Sequence, residues 1–246
     1  DDGVWRARVA GAVLARDGFG ENLVSGQDVS DKDTKAVRAS VGFFPSAAFN
    51  AQLSVDAMND DSNVRGAKRL AINSKDPNHT PPNDSDFDVQ NGMPNVNDTS
   101  MDGASATINW NLADNWWFKS VTAYRESDTD TTIDFDLLPN KIADVRALYA
   151  DEQLSQEFQF NYASDSWSGV FGVYWFDGEA GGTVFNNFFN LQFGTTNGTV
   201  DTESYALYGE GTFPINDTLS ITAGLRYTDE SKTADVLNQF FANAQF

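Results

Sequence analysis

Residues Thr202–Glu230 read TESYALYGEGTFPINDTLSITAGLRYTDE, two runs of strict alternation joined by a short polar turn. In the first run Tyr205, Leu207, Gly209, Gly211 and Phe213 share one face, and Ala206, Tyr208, Glu210 and Thr212 the other. After Pro214–Thr218, residues Leu219, Ile221, Ala223, Leu225 and Tyr227 oppose Ser220, Thr222, Gly224, Arg226 and Thr228. A period of two is the strand signature, and Pro-Ile-Asn-Asp is turn chemistry. Each strand has about ten residues, enough to cross a bilayer when tilted. One face is apolar with aromatics at its ends, and the other is small and polar. A membrane β-barrel wall is patterned this way, with lipid outside and water inside.

Working outward, the same alternation recurs. It predicts strands at Val4–Arg16, Thr34–Phe44, Phe49–Ala57, Gly103–Leu112, Trp117–Glu126, Leu154–Tyr162 and Trp167–Phe176. In Trp117–Glu126 the facing is left open, because Lys119 shares a phase with Val121 and Ala123. Short connections (45–48, 113–116, 163–166, 214–218) alternate with long ones (17–33, 59–102, 130–151, 179–201). A loop of some forty residues is uncommon in a compact soluble domain, whereas an outer-membrane barrel keeps short turns inside and long loops outside. Within the long loops, 141–150 spaces Ile142, Val145, Leu148 and Tyr149 at helical intervals, which predicts a helical turn. Thr183–Val200 is expected to be a loop rich in Phe and Asn, and Asp229–Phe246 the start of another loop.

Several of these segments resemble the barrel of TonB-dependent receptors, the active importers of the Gram-negative outer membrane. They are SYALYGEGTF (204–213), LSITAGLRYTDESK (219–232), EQLSQEFQFNY (152–162) and FKSVTAYRE (118–126). GFGENLVSGQDVSDKDT (18–34), followed by VRASVGFFPSAAFNAQLSVDA (37–57), is similar in the same way. The resemblance implies an all-β, antiparallel up-and-down transmembrane wall of about nine strands, part of a larger barrel that carries about twenty-two. It also implies that residues 1–246 form a partial barrel domain without plug, signal peptide or TonB-contacting box. The parent would import a scarce large solute (a ferric siderophore, a cobalamin or an oligosaccharide), driven by the TonB complex acting on the absent plug. Membrane lipid and lipopolysaccharide would surround it, and no catalysis or cofactor is implied. Two other readings stay open: a passive or structural porin-like barrel, and a soluble extracellular β-sandwich such as a lectin or glycosidase.

Composition narrows the field. The formal net charge is -20, from 36 acidic and 16 basic residues, which argues against nucleic acid as a partner. No stretch approaches eighteen apolar residues in a row, so no membrane helix is expected. Without cysteine there is no disulfide framework or thiolate metal site, and with one histidine no multi-histidine zinc site. His79, in NHTPPNDSD, is expected to be a solvated loop residue. The carboxylate clusters at Asp60–Asp61, Asp84–Asp88 and Asp128–Asp136 do not match the EF-hand spacing and are expected to be solvated, so no metal site is assigned.

The candidate site residues are therefore those of a binding surface. Arg6, Arg8, Arg38 and Arg226 fall on the polar faces of their strands, where they would meet an anionic ligand or the plug, or else pair with neighbouring Asp and Glu. Phe185, Phe188, Phe189 and Phe193 sit in the Phe/Asn segment, either contacting ligand or burying one another.

Overall fold

The computed structural model describes residues 3–188 and 192–242. In chain order the strands are β1 (Trp5–Arg16), β2 (Gly20–Glu21), β3 (Asp28–Val29), β4 (Lys32–Ser46), β5 (Phe49–Asp60) and β6 (Asn97–Ala113). They continue with β7 (Trp116–Asp134), β8 (Ala143–Ala163), β9 (Ser168–Phe188), β10 (Gln192–Asn216) and β11 (Leu219–Phe241). β2 and β3 form a small ribbon of their own, while the other nine make one antiparallel sheet in simple sequential order. β1 and β11 are its two edges, and no pairing joins them among the described residues. A sandwich needs two sheets packed face to face. Here one sheet carries all nine long strands, so the sandwich reading is set aside.

Register shows which residues share a face. Phe49, Trp110, Phe118, Phe160 and Phe171 stand directly opposite one another across β5 to β9, an unbroken aromatic row. Trp110 opposite Phe118 and Ile108 opposite Ser120 settle the facing of β7: Phe118 and Tyr124 lie on the apolar side, Lys119 and Val121 on the polar side. The outermost aromatics at the turn end of this face are Trp116, Trp167 and Phe213, and a second aromatic level lies eight residues from them. It is reached from Trp116 to Tyr124, from Trp167 to Trp175, and from Phe213 to Tyr205. Eight strand residues span about 26 Å along the strand, or about 20 Å of height at the tilt of such strands, which fits within the roughly 25 Å apolar band of an outer-membrane barrel.

Beyond that level the chemistry changes at once. Two residues past Tyr124, Trp175, Tyr205 and Tyr227 come Glu126, Asp177, Glu203 and Asp229, on the same face. The Tyr124 hydroxyl donates to Glu126 Oε2 at 2.6 Å, and the Tyr205 hydroxyl donates to Glu203. The tyrosines thus stand with their rings toward the apolar band and their hydroxyls toward water.

Between the two levels, large apolar side chains stand open, Leu225 at 87% and Val9 at 75%. Leaving such a side chain in water forgoes roughly 1.5–3 kcal/mol. A whole face of them is accounted for by lipid. A polar break in this face, formed by Ser120, Thr122 and Gln156, satisfies itself. The Gln156 amide donates to Ser120 Oγ at 3.0 Å and to two main-chain carbonyls, and accepts from Thr122 Oγ1 at 2.5 Å.

Three expectations are corrected. The strands are longer than the bilayer needs: 19 residues in β7, 21 in β8 and β9, 25 in β10 and 23 in β11. The predicted loops 130–151 and 179–201 are thus largely ladder, and their described connections shrink to 135–142 between β7 and β8. The helical turn at 141–150 is absent, since Ala143–Ala150 pairs with β7 on one side and β9 on the other. Ladder pairing from two neighbours outweighs a 3.6-residue spacing of four apolar side chains. Likewise Asp229–Phe241 continues β11 against β10 instead of opening a loop.

The turn ends are tight. Asp114–Asn115 joins β6 to β7 with Asn115 at φ +67°, a left-handed conformation that Asn tolerates. By antiparallel order all long connections lie at the opposite end. There 17–31, 61–96 and 135–142 fold together into a cap. Most of the buried apolar residues lie in it or at the strand ends beneath it: Val29, Val89, Met93, Leu138, Ile142, Ala143, Val145 and Ala147.

Candidate functional site

On the polar face, the basic residues differ in their neighbours. Arg38, Asp56, Gly103 and Arg125 stand opposite one another across β4 to β7. Asp56 holds both cations, Arg38 at 3.2 Å and Arg125 at 3.1 Å. Arg125 reaches across β6 because Gly103 has no side chain: a Cβ there would lie 3.1 Å from the guanidinium and 3.3 Å from the Asp56 carboxylate. Arg6 lies over the Phe44 ring at 4.5 Å. Arg226, on the far edge of the sheet, stands over Tyr208 and Tyr174 at 5.6 and 5.7 Å. Arg8, opposite Ser40, is exposed. The sheet therefore groups Arg6, Arg8 and Arg38 on adjacent strands and sets Arg226 seven strands away.

Tyr208 belongs to a second constellation on this face. It lies flat across β9, where Gly172 stands opposite it, and donates to Glu157 of β8. A Cβ on Gly172 would come within 2.2 Å of the ring. A glycine under an aromatic is what lets the ring bridge three strands.

The Phe cluster is divided. Phe185 pairs with Arg146 and Thr195, Phe193 with Asn187, and Phe188 with Ala143. Counting along the uninterrupted ladder, Phe185 and Phe193 share one face and Phe188 has the other. All three are half-buried in strands, not in a loop. Phe189 lies outside the described residues.

The cap contains what alternation could not indicate. Arg69 gathers the 61–96 loop and ties it to the 135–142 connection, donating to the carbonyls of Leu137 and Thr80 at 2.9 Å each, to that of Pro81 at 3.4 Å and to Gln90 Oε1 at 3.3 Å. Asn22, fully buried, donates to the Asn91 carbonyl at 3.0 Å, while the Leu23 amide donates to the Val89 carbonyl. Buried Asp76 accepts from the amides of Asn78 and Thr80. Those turn bonds, together with the charge of Arg69, hold its carboxyl below its usual range. His79 is exposed in the same turn.

The acidic run Asp128–Asp136 is not uniformly solvated. Asp128 is exposed, whereas Asp130 pairs with Arg146 at 2.6 Å. Asp134 stands directly opposite Asp144 in β8, about ten residues and roughly 33 Å along the strand beyond Tyr124, far outside the apolar band. Asp136 lies in the 135–142 connection and turns back beside them. Carboxylate oxygens of the three fall within 4.8 Å of one another. Asp136 accepts from the amides of Leu138 at 2.8 Å, Ile142 at 3.1 Å and Ala143. Asp134 accepts from Leu137 at 2.6 Å and Gly92 at 3.0 Å, which fixes Leu137 at φ +53° and ties the 61–96 loop to β7.

Burial, reinforced by the charges of Asp134 and Asp136, pushes the Asp144 carboxyl up to about 8. Burial and Asp136 push Asp134 to about 6 against its amide donors. Asp136 is also raised, by burial. Each pair of charges at this spacing repels by roughly 3 kcal/mol at an effective dielectric near 20. Such a cluster needs a proton or a cation.

Comparison with known proteins completes the picture. The family model for the TonB dependent receptor-like β-barrel matches residues 36–245. Among curated protein sequences none matches the chain. Among solved structures, the ferric yersiniabactin uptake receptor FyuA of Yersinia pestis superimposes with a TM-score of 0.80 at 16% identity, over 99% of this chain and 37% of its own. FpvA of P. aeruginosa, bound to heterologous pyoverdines, gives 0.64 at 12% identity over 97% of this chain and 35% of its own. The ferric-catecholate import receptor Fiu of E. coli K12 gives 0.63 at 12% identity over 96% and 43%. The chain thus spans less than half the length of each of these three receptors. With nine sequential strands, an apolar band between two aromatic levels and a family match over most of its length, the chain belongs to the TonB-dependent receptor-like β-barrel family of the Gram-negative outer membrane.

Proposed function

We propose that this chain is part of the wall and outer mouth of a receptor that takes up a scarce, large solute with energy delivered by TonB. A ferric siderophore is the foremost candidate. The observation that carries the reading is the change of character along β7 to β11: an apolar band that fits lipid, then a further ten or so residues of ladder rising to a folded cap. A passive pore has less need of so tall and elaborated an entrance. The solved receptors it resembles are those for ferric yersiniabactin, for pyoverdine with iron and for ferric catecholate, which supports the siderophore class. Lipopolysaccharide is the expected neighbour of the acidic level at Glu126, Asp177, Glu203 and Asp229, through divalent cations.

On the inner face, Arg6, Arg8, Arg38 and Arg226 meet the plug or an anionic cargo on its way through. Phe188, near the upper end of β9 on the same face as these arginines, with Phe189 next to it in sequence, is the apolar contact for cargo at the mouth, while Phe185 and Phe193 continue the outward face. The test is uptake of iron-55 by iron-starved cells carrying the full-length receptor, with catecholate, hydroxamate and mixed siderophores as separate arms. Uptake of one class that disappears when TonB is deleted supports the reading. Uptake that persists without TonB moves it to a passive barrel, and uptake of cobalamin in place of iron changes the cargo.

A further inference from the structure

We propose that Asp134, Asp136 and Asp144 form a calcium site that pins the cap to the upper ends of β7 and β8. Three features of the geometry point there. The first is convergence: two acids placed opposite each other by the ladder and a third returned by the connection bring three carboxylate oxygens within 4.8 Å of one another. A calcium ion binding oxygens at about 2.4 Å spans that distance from one side to the other, whereas magnesium at about 2.1 Å needs a smaller, strictly octahedral cage.

The second is orientation. Asp134 and Asp136 accept main-chain amides from Leu137, Gly92, Leu138 and Ile142, so their carboxylates are fixed in place before any ion arrives. The third is the orphan. Asp144 is completely buried, and both its oxygens lack any hydrogen-bond partner. Among the described residues no lysine or arginine forms an ion pair with any of the three. Arg69, which passes close to Asp136, directs its donors at carbonyls and at Gln90. Buried acceptors without donors are rare in folded proteins, and an all-oxygen, trianionic cluster without histidine or cysteine selects a hard divalent cation. The carbonyls of the 61–96 loop and water would complete the six to eight ligands that calcium takes.

The site needs no assumption about cargo. The test is calorimetric titration of calcium chloride into the full-length receptor, purified in detergent and stripped with chelator, for the native protein and three variants. Asp144→Asn keeps the shape but removes one charge. It also relieves repulsion in the ion-free cap, so the variant folds at least as well as the native protein, as checked by heat-modifiable migration. One calcium per receptor should be lost, or weakened at least about tenfold, in Asp144→Asn and in Asp136→Asn. Exposed Asp86→Asn should retain it. Calcium should also protect the 61–96 loop from protease in the native protein and not in Asp144→Asn. Equal calcium binding by native and Asp144→Asn receptor up to about 10 mM, tenfold above the weakest extracellular calcium modules, overturns the proposal. Magnesium binding as tightly as calcium overturns the choice of ion.

Discussion

The wall and the cap are held together by opposite means. Between its aromatic levels the wall has almost no core: its apolar side chains point at lipid, and the backbone ladder supplies the order. The cap has little ladder. It is held by side chains that reach for main-chain groups, such as Arg69, Asn22 and Asp136, around a small knot of Val29, Val89, Met93 and Leu138. Wall stability therefore depends on the surrounding solvent, while cap stability depends on a handful of buried residues. The two should fail separately.

The sharpest way to separate them is Leu138→Ala. Leu138 is fully buried, so the substitution should cost the cap about 3–5 kcal/mol. Protease should then cut within 61–96 readily, while the wall keeps its heat-modifiable migration. If both melt together, the cap is not an independent unit. The converse is Val173→Arg, in the middle of the lipid-facing row on β9. A cation there should cost the wall about 2–4 kcal/mol, read as an earlier midpoint in urea with the cap's protease pattern unchanged. Equal tolerance of arginine at Val173 and at Gln159, on the opposite face, would sink the assignment of faces.

This contrast also explains what the amino-acid sequence disclosed. The strands crossing the bilayer were legible because lipid on one side and water on the other imprint a period of two, as in Tyr205–Phe213. Their upward extensions were not. Residues such as Ser127–Asp134, SDTDTTID, face water on one or both sides, so no hydrophobic phase marks them, and only pairing with β6 and β8 shows that they are strand. The cap was least legible. Val29, Val89 and Leu138 come from three segments, each too short and polar to announce a core. Of the site residues, the polar phase of the four arginines could be read directly. Which of them meets an acid depended on register, as with Arg38 and Asp56. The Asp134, Asp136 and Asp144 cluster was hidden because Asp144 falls in a stretch whose spacing suggested a helix.

Within the wall, the polar face offers a finer test. Gly172→Val would place side-chain atoms where the Tyr208 ring lies, since even a Cβ comes within 2.2 Å of it. Displacing the ring should cost about 1–3 kcal/mol and break its bond to Glu157. Tyr208→Ala should cost less, and adding Gly172→Val to it should then change little. A double-mutant cycle with no coupling would mean that the ring does not rest on that glycine.

The smallest expected effect concerns Asp56, and it bears on whether the inner face contributes stability or only chemistry. Asp56 bridges Arg38 and Arg125, yet both guanidinium groups remain substantially open to solvent, with side chains 59% and 43% exposed. Exposed pairs of this kind contribute up to about 1 kcal/mol. Asp56→Asn should therefore shift the urea midpoint only slightly and fade further at high salt. Gly103→Leu should interrupt the reach of Arg125 over β6 while leaving the Arg38 pair in place, so its loss should be about half as large. A greater loss in either variant would mean that the inner face, like the cap, is held by its polar contacts. A negligible loss leaves Arg38 and Arg125 free to serve whatever passes them.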